Sequence, residues 1–441
     1  MLSTLLTLIL GLSPGPLPAQ EPDAPEAETQ AQETEGEEED KPRINSGLLS
    51  TFKWRPIGPA LMSGRISDIA IHPTEPNTWY VAAGSGNLWK TTNAGTTFKP
   101  IFENYGSYSI GCVTIDPTNH DRVWVGTGEN VGGRHVGYGD GIYLSEDGGK
   151  SFRNMGLKES EHLSVILVDP TDQDTIYVAS QGPLWSTGGE RGLYRSQDGG
   201  ETWEQVLAGG PWTGVTDVVM DPRDPKVLYA ATHQRARTVW AVINGGPETG
   251  IHKSIDGGDT WRELKKGLPG ADMGKIGLAL APEDPDRVYA TIELAGPSGG
   301  FWVSEDAGMS WSKTSDYVSG GTGPHYYQEI WADPHHPGTV YQANVRLGRT
   351  RDFGETWESV SKSSIMSTTT PSPSTRPIRT SFSWAATGGS TCPTTAAGPT
   401  ATWRPWRSRS STRWMSTTTG RSITSSAARR TTTPSTDRRA P

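Results

Sequence analysis

The sequence is poor in cysteine, in long apolar runs and in helix-friendly stretches. Its 441 residues include two cysteines, Cys112 and Cys392, which excludes a disulfide scaffold. Only one apolar run stands out, Leu5 to Leu12, and it is too short to cross a bilayer. Gly 53 and Pro 33 are too frequent for a helical bundle, and hydrophobic residues make up only 33%. No zinc-ligand spacing, phosphate loop or nucleophile elbow is present, so neither metal nor cofactor is expected. What is abundant is tryptophan, 17 residues, alongside many turn formers. That mixture fits an all-β protein with indoles in its cores.

Charge is unevenly placed. Residues 362–441 hold 11 Arg, one Lys and one Asp, whereas residues 1–361 hold 28 basic and 48 acidic groups. The main body is therefore acidic, and nucleic acid is not an expected partner.

Residues 1–19 read as an export signal, with Leu17-Pro18-Ala19 as the cleavage end, although no Lys or Arg precedes the apolar run. Residues 20–46 form an acidic linker. Ten acidic residues fall in Glu21–Asp40, a run that repels itself and cannot bury a core. The expected location is secreted or periplasmic, in the cell envelope, with no transmembrane segment after cleavage.

Residues 47–361 are built on one repeat. Six octads follow the pattern Ser/Thr, any, Asp/Asn, any, Gly, any, Ser/Thr, aromatic, from TTNAGTTF at 91–98 to TRDFGETW at 350–357. Their third positions are Asn93, Asp147, Asp198, Asp256, Asp306 and Asp352. Around each octad run short alternating strands with turn signals, four to a unit. In the second unit they read GCVTID, RVWVG, GIYLS and SFRNM. A four-stranded unit of about 40–50 residues is the size of a propeller blade. The octad acid is expected to bind its own turn, its glycine to take positive φ, and its aromatic to bury between blades. These are structural roles, so the acids are not read as a metal cluster.

The octad resembles the Asp-box, or bacterial neuraminidase repeat. The stretches WRPIGPALMSGRISDIAIHP from Trp54, LWKTTNAGTTF from Leu88 and VGTGENVGGRHVGYGDGIYLSEDGG from Val125 resemble bacterial proteins with a sortilin-N-terminal-like propeller. The resemblance covers about 52–361. It implies an exported β-propeller of a class often labelled glycosyl hydrolase. Six blades are readable and the ring is expected to be incomplete.

Residues 362–441 lose every pattern and are Ser/Thr/Arg-rich. Read in a shifted frame, MSTTTPSPSTRPIRT from Met366 and WAATGGST from Trp384 can encode HVDHH- and GGDGG-containing strings that restore the repeat. The tail is therefore read as a disordered frameshift product.

Candidate ligand residues are polar groups in glycine-rich loops outside the octads: Arg65, Glu129, Arg134, His135, Arg235, Arg237 and His325. An Arg facing a carboxylate can hold sugar hydroxyls or a peptide end. Sialidases of the Asp-box type need a Tyr–Glu pair and an Arg triad behind a Phe/Tyr-Arg-Ile-Pro start, and Trp54-Arg55-Pro56-Ile57 has the wrong order. Propeller xyloglucanases need two carboxylates, the first in an early Arg-Thr-Asp-x-Gly-Gly segment. The comparable stretch, Tyr80 to Gly86, has none. The sequence is accordingly read as a non-catalytic binding module for a peptide, protein or glycan. A xyloglucanase-like glycoside hydrolase is the alternative.

Overall fold

The computed structural model describes residues 65–360, apart from 134–135, 296–297, 319–326 and 345. The signal, linker and tail readings, and the candidates Arg134, His135 and His325, fall outside the described residues. Among those described there is no helix.

Six antiparallel sheets follow one another around a common axis as a β-propeller, each a meander in chain order. The innermost strands are Ile66–Ile71, Ile110–Ile115, Leu163–Asp169, Thr213–Asp221, Ile276–Ala281 and Glu329–Ala332, and each packs against the next. The second unit forms strands Ile110–Ile115, Val123–Thr127, Ile142–Ser145 and Arg153–Asn154, close to the pattern in the sequence. Blade four departs from the rule of four. Its second strand runs on to Arg237 and pairs with an extra strand, Val242–Asn244.

The cores lie between blades rather than within them. Ala70, Tyr80 and Leu88 of blade one pack with Val113, Val123 and Phe152 of blade two. The same holds between blades two and three, three and four, four and five, and five and six. An aromatic on the second strand recurs as Tyr80, Trp124, Tyr177, Tyr229 and Tyr289, all buried. Burying each contributes roughly 2–3 kcal/mol.

The octads behave as turn locks. The Asp147 carboxylate accepts from Ser145 Oγ (2.8 Å), Ser151 N (2.9 Å) and Ser151 Oγ (2.6 Å), while Ser145 Oγ accepts from Gly149 N (2.7 Å). Gly149 has φ +85°. The turn is tied to the first hairpin of its own blade by Gly148 N donating to Asp121 O at 2.9 Å, and the other blades repeat that bond. All six octads therefore sit at one end of the propeller.

The octad aromatic belongs to the core shared with the preceding blade: Phe152, Trp203, Trp261, Trp311 and Trp357 all do so. Phe98 departs from the expectation that every octad aromatic is buried. It belongs to blade one and is 39% exposed, because no such core is formed between blades six and one among the described residues.

Candidate functional site

The other end of the propeller carries the loops between second and third strands and between successive blades. One of these, leaving the second strand of blade two at Thr127, turns inward through Gly128 (φ +85°) and is buried from Glu129 to Gly132. Side chains from the five other blades reach this short segment. Arg65 of blade one donates to both Glu129 oxygens (2.5 and 2.7 Å). Gln181 of blade three donates to Asn130 O at 3.3 Å. Arg235 and Arg237 of blade four donate to Val131 O (3.2 Å) and Gly132 O. Lys275, entering blade five, donates to Asn130 O and Oδ1, both 3.0 Å. Tyr327, entering blade six, donates to Glu129 Oε1 at 2.8 Å. Only the axis is within reach of all six blades, so Glu129–Gly132 crosses it as a hub.

The hub concentrates charge away from water. Glu129 is fully buried, and its bidentate Arg65 pair is the strong geometry for a carboxylate. Burial works against the Arg65 charge, but Glu129 outweighs it and raises the guanidinium pKa. Burial, then the Glu129 charge, pushes the Tyr327 hydroxyl well above its ordinary value. Burial lowers Arg235 to about 9, with Arg191 adding like-charge repulsion. Lys275 is lowered to about 8 by burial, opposed by Glu329. Asp217, on the inner strand of blade four, is raised to about 6 by burial, although Leu278 N donates to it at 2.7 Å. Asp68 makes the equivalent link from blade one, accepting from Val113 N at 2.9 Å. Both acids cap the free inner edge of the next blade.

Four of the seven residues singled out in the sequence therefore meet. Arg65 with Glu129, and Arg235 with Arg237, are joined through one four-residue segment. Gly84, in the stretch that lacks the xyloglucanase acid, lies against the same place: a Cβ added there would sit 2.5 Å from the Glu129 carboxylate. Glu129 thus brings a carboxylate from blade two to the stretch where blade one has none.

One acidic residue on this face escaped the sequence reading. Glu161 leads into blade three, its side chain is 32% exposed, and its backbone holds φ +52°. That conformation is uncommon for a non-glycine residue. Burial raises its carboxyl pKa, and Leu184 N–H, Arg235 and Arg191 pull it down less. Its carbonyl accepts from Gly139 N at 2.7 Å, which ties it to the loop that forms the hub. His162, next to it, is kept neutral by burial. A partly exposed carboxyl with a raised pKa keeps its proton to higher pH than an ordinary carboxylate, which suits a proton donor. Glu161 carries no motif around it. Its only signal in the sequence is a charge beside a loop.

Comparisons with known proteins agree on the architecture. The family model for Sortilin-Vps10 (sortilin, neurotensin receptor 3) matches residues 140–293, as the resemblance implied. A xyloglucanase from Paenibacillus sp is 23% identical over 72% of this chain and 33% of its own length. A xyloglucanase from Hypocrea jecorina is 24% identical over 70% of this chain and 40% of its own. The crystal structure of a xyloglucanase from Xanthomonas campestris superposes with a TM-score of 0.50 at 17% identity, covering 69% of this chain and 46% of that one. The chain spans a third to two fifths of the length of these curated relatives. The matches overturn the reading as a non-catalytic binding module, because the similar curated proteins are hydrolases.

Proposed function

We propose that this chain is part of a glycoside hydrolase acting on polysaccharide of the xyloglucan class. Similarity to xyloglucanases over about 70% of its length carries the reading. Hydrolysis of a glycosidic bond needs a proton donor for the leaving oxygen, and a second carboxylate that takes the proton of the attacking water or itself attacks the sugar carbon. Glu161 is assigned the donor role: it and Glu190 are both partly exposed with raised carboxyl pKa values, but among the described residues of this face only Glu161 adds a positive-φ backbone beside the hub. Glu129 holds the face together. Its carboxyl group fixes Arg65 and Tyr327, and through them the loops of blades one and six.

The test is a pH profile of reducing-end release from soluble xyloglucan. A proton donor is lost as pH rises through its pKa, so the alkaline limb belongs to Glu161. Glu161→Gln keeps the shape and removes the titratable proton, which should cut kcat by at least a hundredfold and abolish that limb. An unchanged alkaline limb in the variant would remove Glu161 from the reaction.

A further inference from the structure

The two ends of the propeller differ in which apolar side chains they expose. At the octad end these are Phe98, Ile255, Met309 and Phe353, all within octads. At the hub end they include Tyr108, Tyr138, Trp185 and Trp240, which are the exposed tyrosines and tryptophans among the described residues. Trp240 stands furthest out, 86% exposed, at the tip of the blade-four hairpin. That hairpin is closed by hydrogen bonds: Arg235, Ala236 and Arg237 pair with Asn244, Ile243 and Val242, and Thr238 N donates to Ala241 O at 2.9 Å.

Hydrogen bonds to backbone carbonyls connect the loops carrying these rings. Ser107 Oγ donates to Tyr138 O at 2.6 Å, Gly139 N to Glu161 O at 2.7 Å, Gln181 N to His162 O at 2.9 Å, and Arg237 N to Leu184 O at 2.9 Å. The Tyr138 ring lies 5.9 Å from that of His162, beside Glu161. The rings thus form a series around blades two, three and four, passing the proposed proton donor.

We infer that Tyr108, Tyr138, Trp185 and Trp240 are a binding track for an extended polysaccharide chain, with Trp240 as its outer anchor. The inference rests on the glycoside-hydrolase reading and deepens it by naming the residues that hold the polymer. A pyranose with equatorial hydroxyls has apolar C–H faces and a polar rim. Tyr and Trp offer flat, amphipathic rings at low conformational cost, and stacking leaves the sugar hydroxyls in water. Val239, Val242 and Ile243 are exposed beside Trp240, but Tyr108, Tyr138 and Trp185 stand on other loops, a spread that suits an extended polymer better than a compact apolar protein interface. The binding energy is divided over several sugar units, so polymer should bind far better than a disaccharide.

The experiment is affinity electrophoresis of the full chain through gels containing soluble xyloglucan, run beside a reducing-end assay. Trp240→Ala should weaken retardation at least tenfold, and Trp185→Ala should add to the loss. Ile255→Ala, at the octad end, should change nothing. Thermal melts matching the parent exclude misfolding, since Trp240 packs against little. A retarded parent chain with Trp240→Ala and Trp185→Ala variants retarded equally would overturn the track and leave hydrolysis standing. An unretarded parent would also overturn it, and the reading as a hydrolase then survives only if reducing ends are released. Retardation lost in the variants, with no reducing ends released by the parent, would keep the track and sink the hydrolase.

Discussion

Tyr327 donates its hydroxyl to Glu129 at 2.8 Å across 198 residues of chain, joining the loop before blade six to the segment on the axis. Both side chains are buried, and Arg65 completes the set. Tyr327→Phe removes one charge-assisted bond and should cost about 2 kcal/mol. Glu129→Ala strands Arg65 and Tyr327 together and should cost about 3–5 kcal/mol. Urea unfolding of the two variants checks the order. Equal losses would mean that Glu129 is not the centre of the set.

Gly84 gives a second handle on the same place. An added Cβ meets the Glu129 side chain at 2.5 Å, so Gly84→Ala must displace a carboxylate held by three hydrogen bonds. A loss of about 1–3 kcal/mol is expected. Gly270, with nothing near its Cβ position, should tolerate Ala in the same melts.

Asp217 predicts an unusual pH dependence. Its folded pKa, about 6, lies above the ordinary 3.8, so between those values the folded state binds more protons than the unfolded one. Its contribution to stability is full below about pH 4 and is lost as pH rises through 6, a swing on the order of 3 kcal/mol. Asp217→Asn should flatten that part of the stability curve, which chemical denaturation at a series of pH values would reveal.

The octad acids act with the opposite sign. Hydrogen bonds from Thr202 and Ser196 lower Asp198 to about 2, and those from Thr260 and Ser254 lower Asp256 to about 2. Their contribution is present above about pH 4 and is lost as pH falls through 2. A parallel prediction concerns the residue before the octad glycine. Gly148, Gly199 and Gly257 take positive φ there, but Ala94, Ala307 and Phe353 are forced into the same conformation at +52°, +54° and +58°. Ala307→Gly should therefore raise stability by about 1 kcal/mol, where Gly in an ordinary turn would lower it.

The repeats were legible because local chemistry dictates them. An octad encloses its own hydrogen bonds, so Ser145, Asp147 and Gly149 announce a turn without help from the rest of the chain. The hub was only half legible. Arg65, Glu129, Arg235 and Arg237 stood out as polar residues in glycine-rich loops, but their meeting depends on contacts more than 60 residues apart. Lys275 and Tyr327 gave no local signal at all. Glu161 offered only a charge beside a loop, because its raised pKa comes from burial by neighbouring loops rather than from its sequence neighbours. The fifth strand of blade four leaves little trace in the sequence, because Val242–Asn244 is short and pairs with a strand that runs on through HQRAR, a polar stretch with the look of a loop.

The most direct measurement is product analysis after incubating the purified full chain with soluble xyloglucan. A steady rise in reducing ends and a falling polymer size by chromatography are expected, both lost in Glu161→Gln at unchanged melting temperature. A polymer of unaltered size after prolonged incubation with folded protein, across pH 4 to 8, would contradict the hydrolase reading.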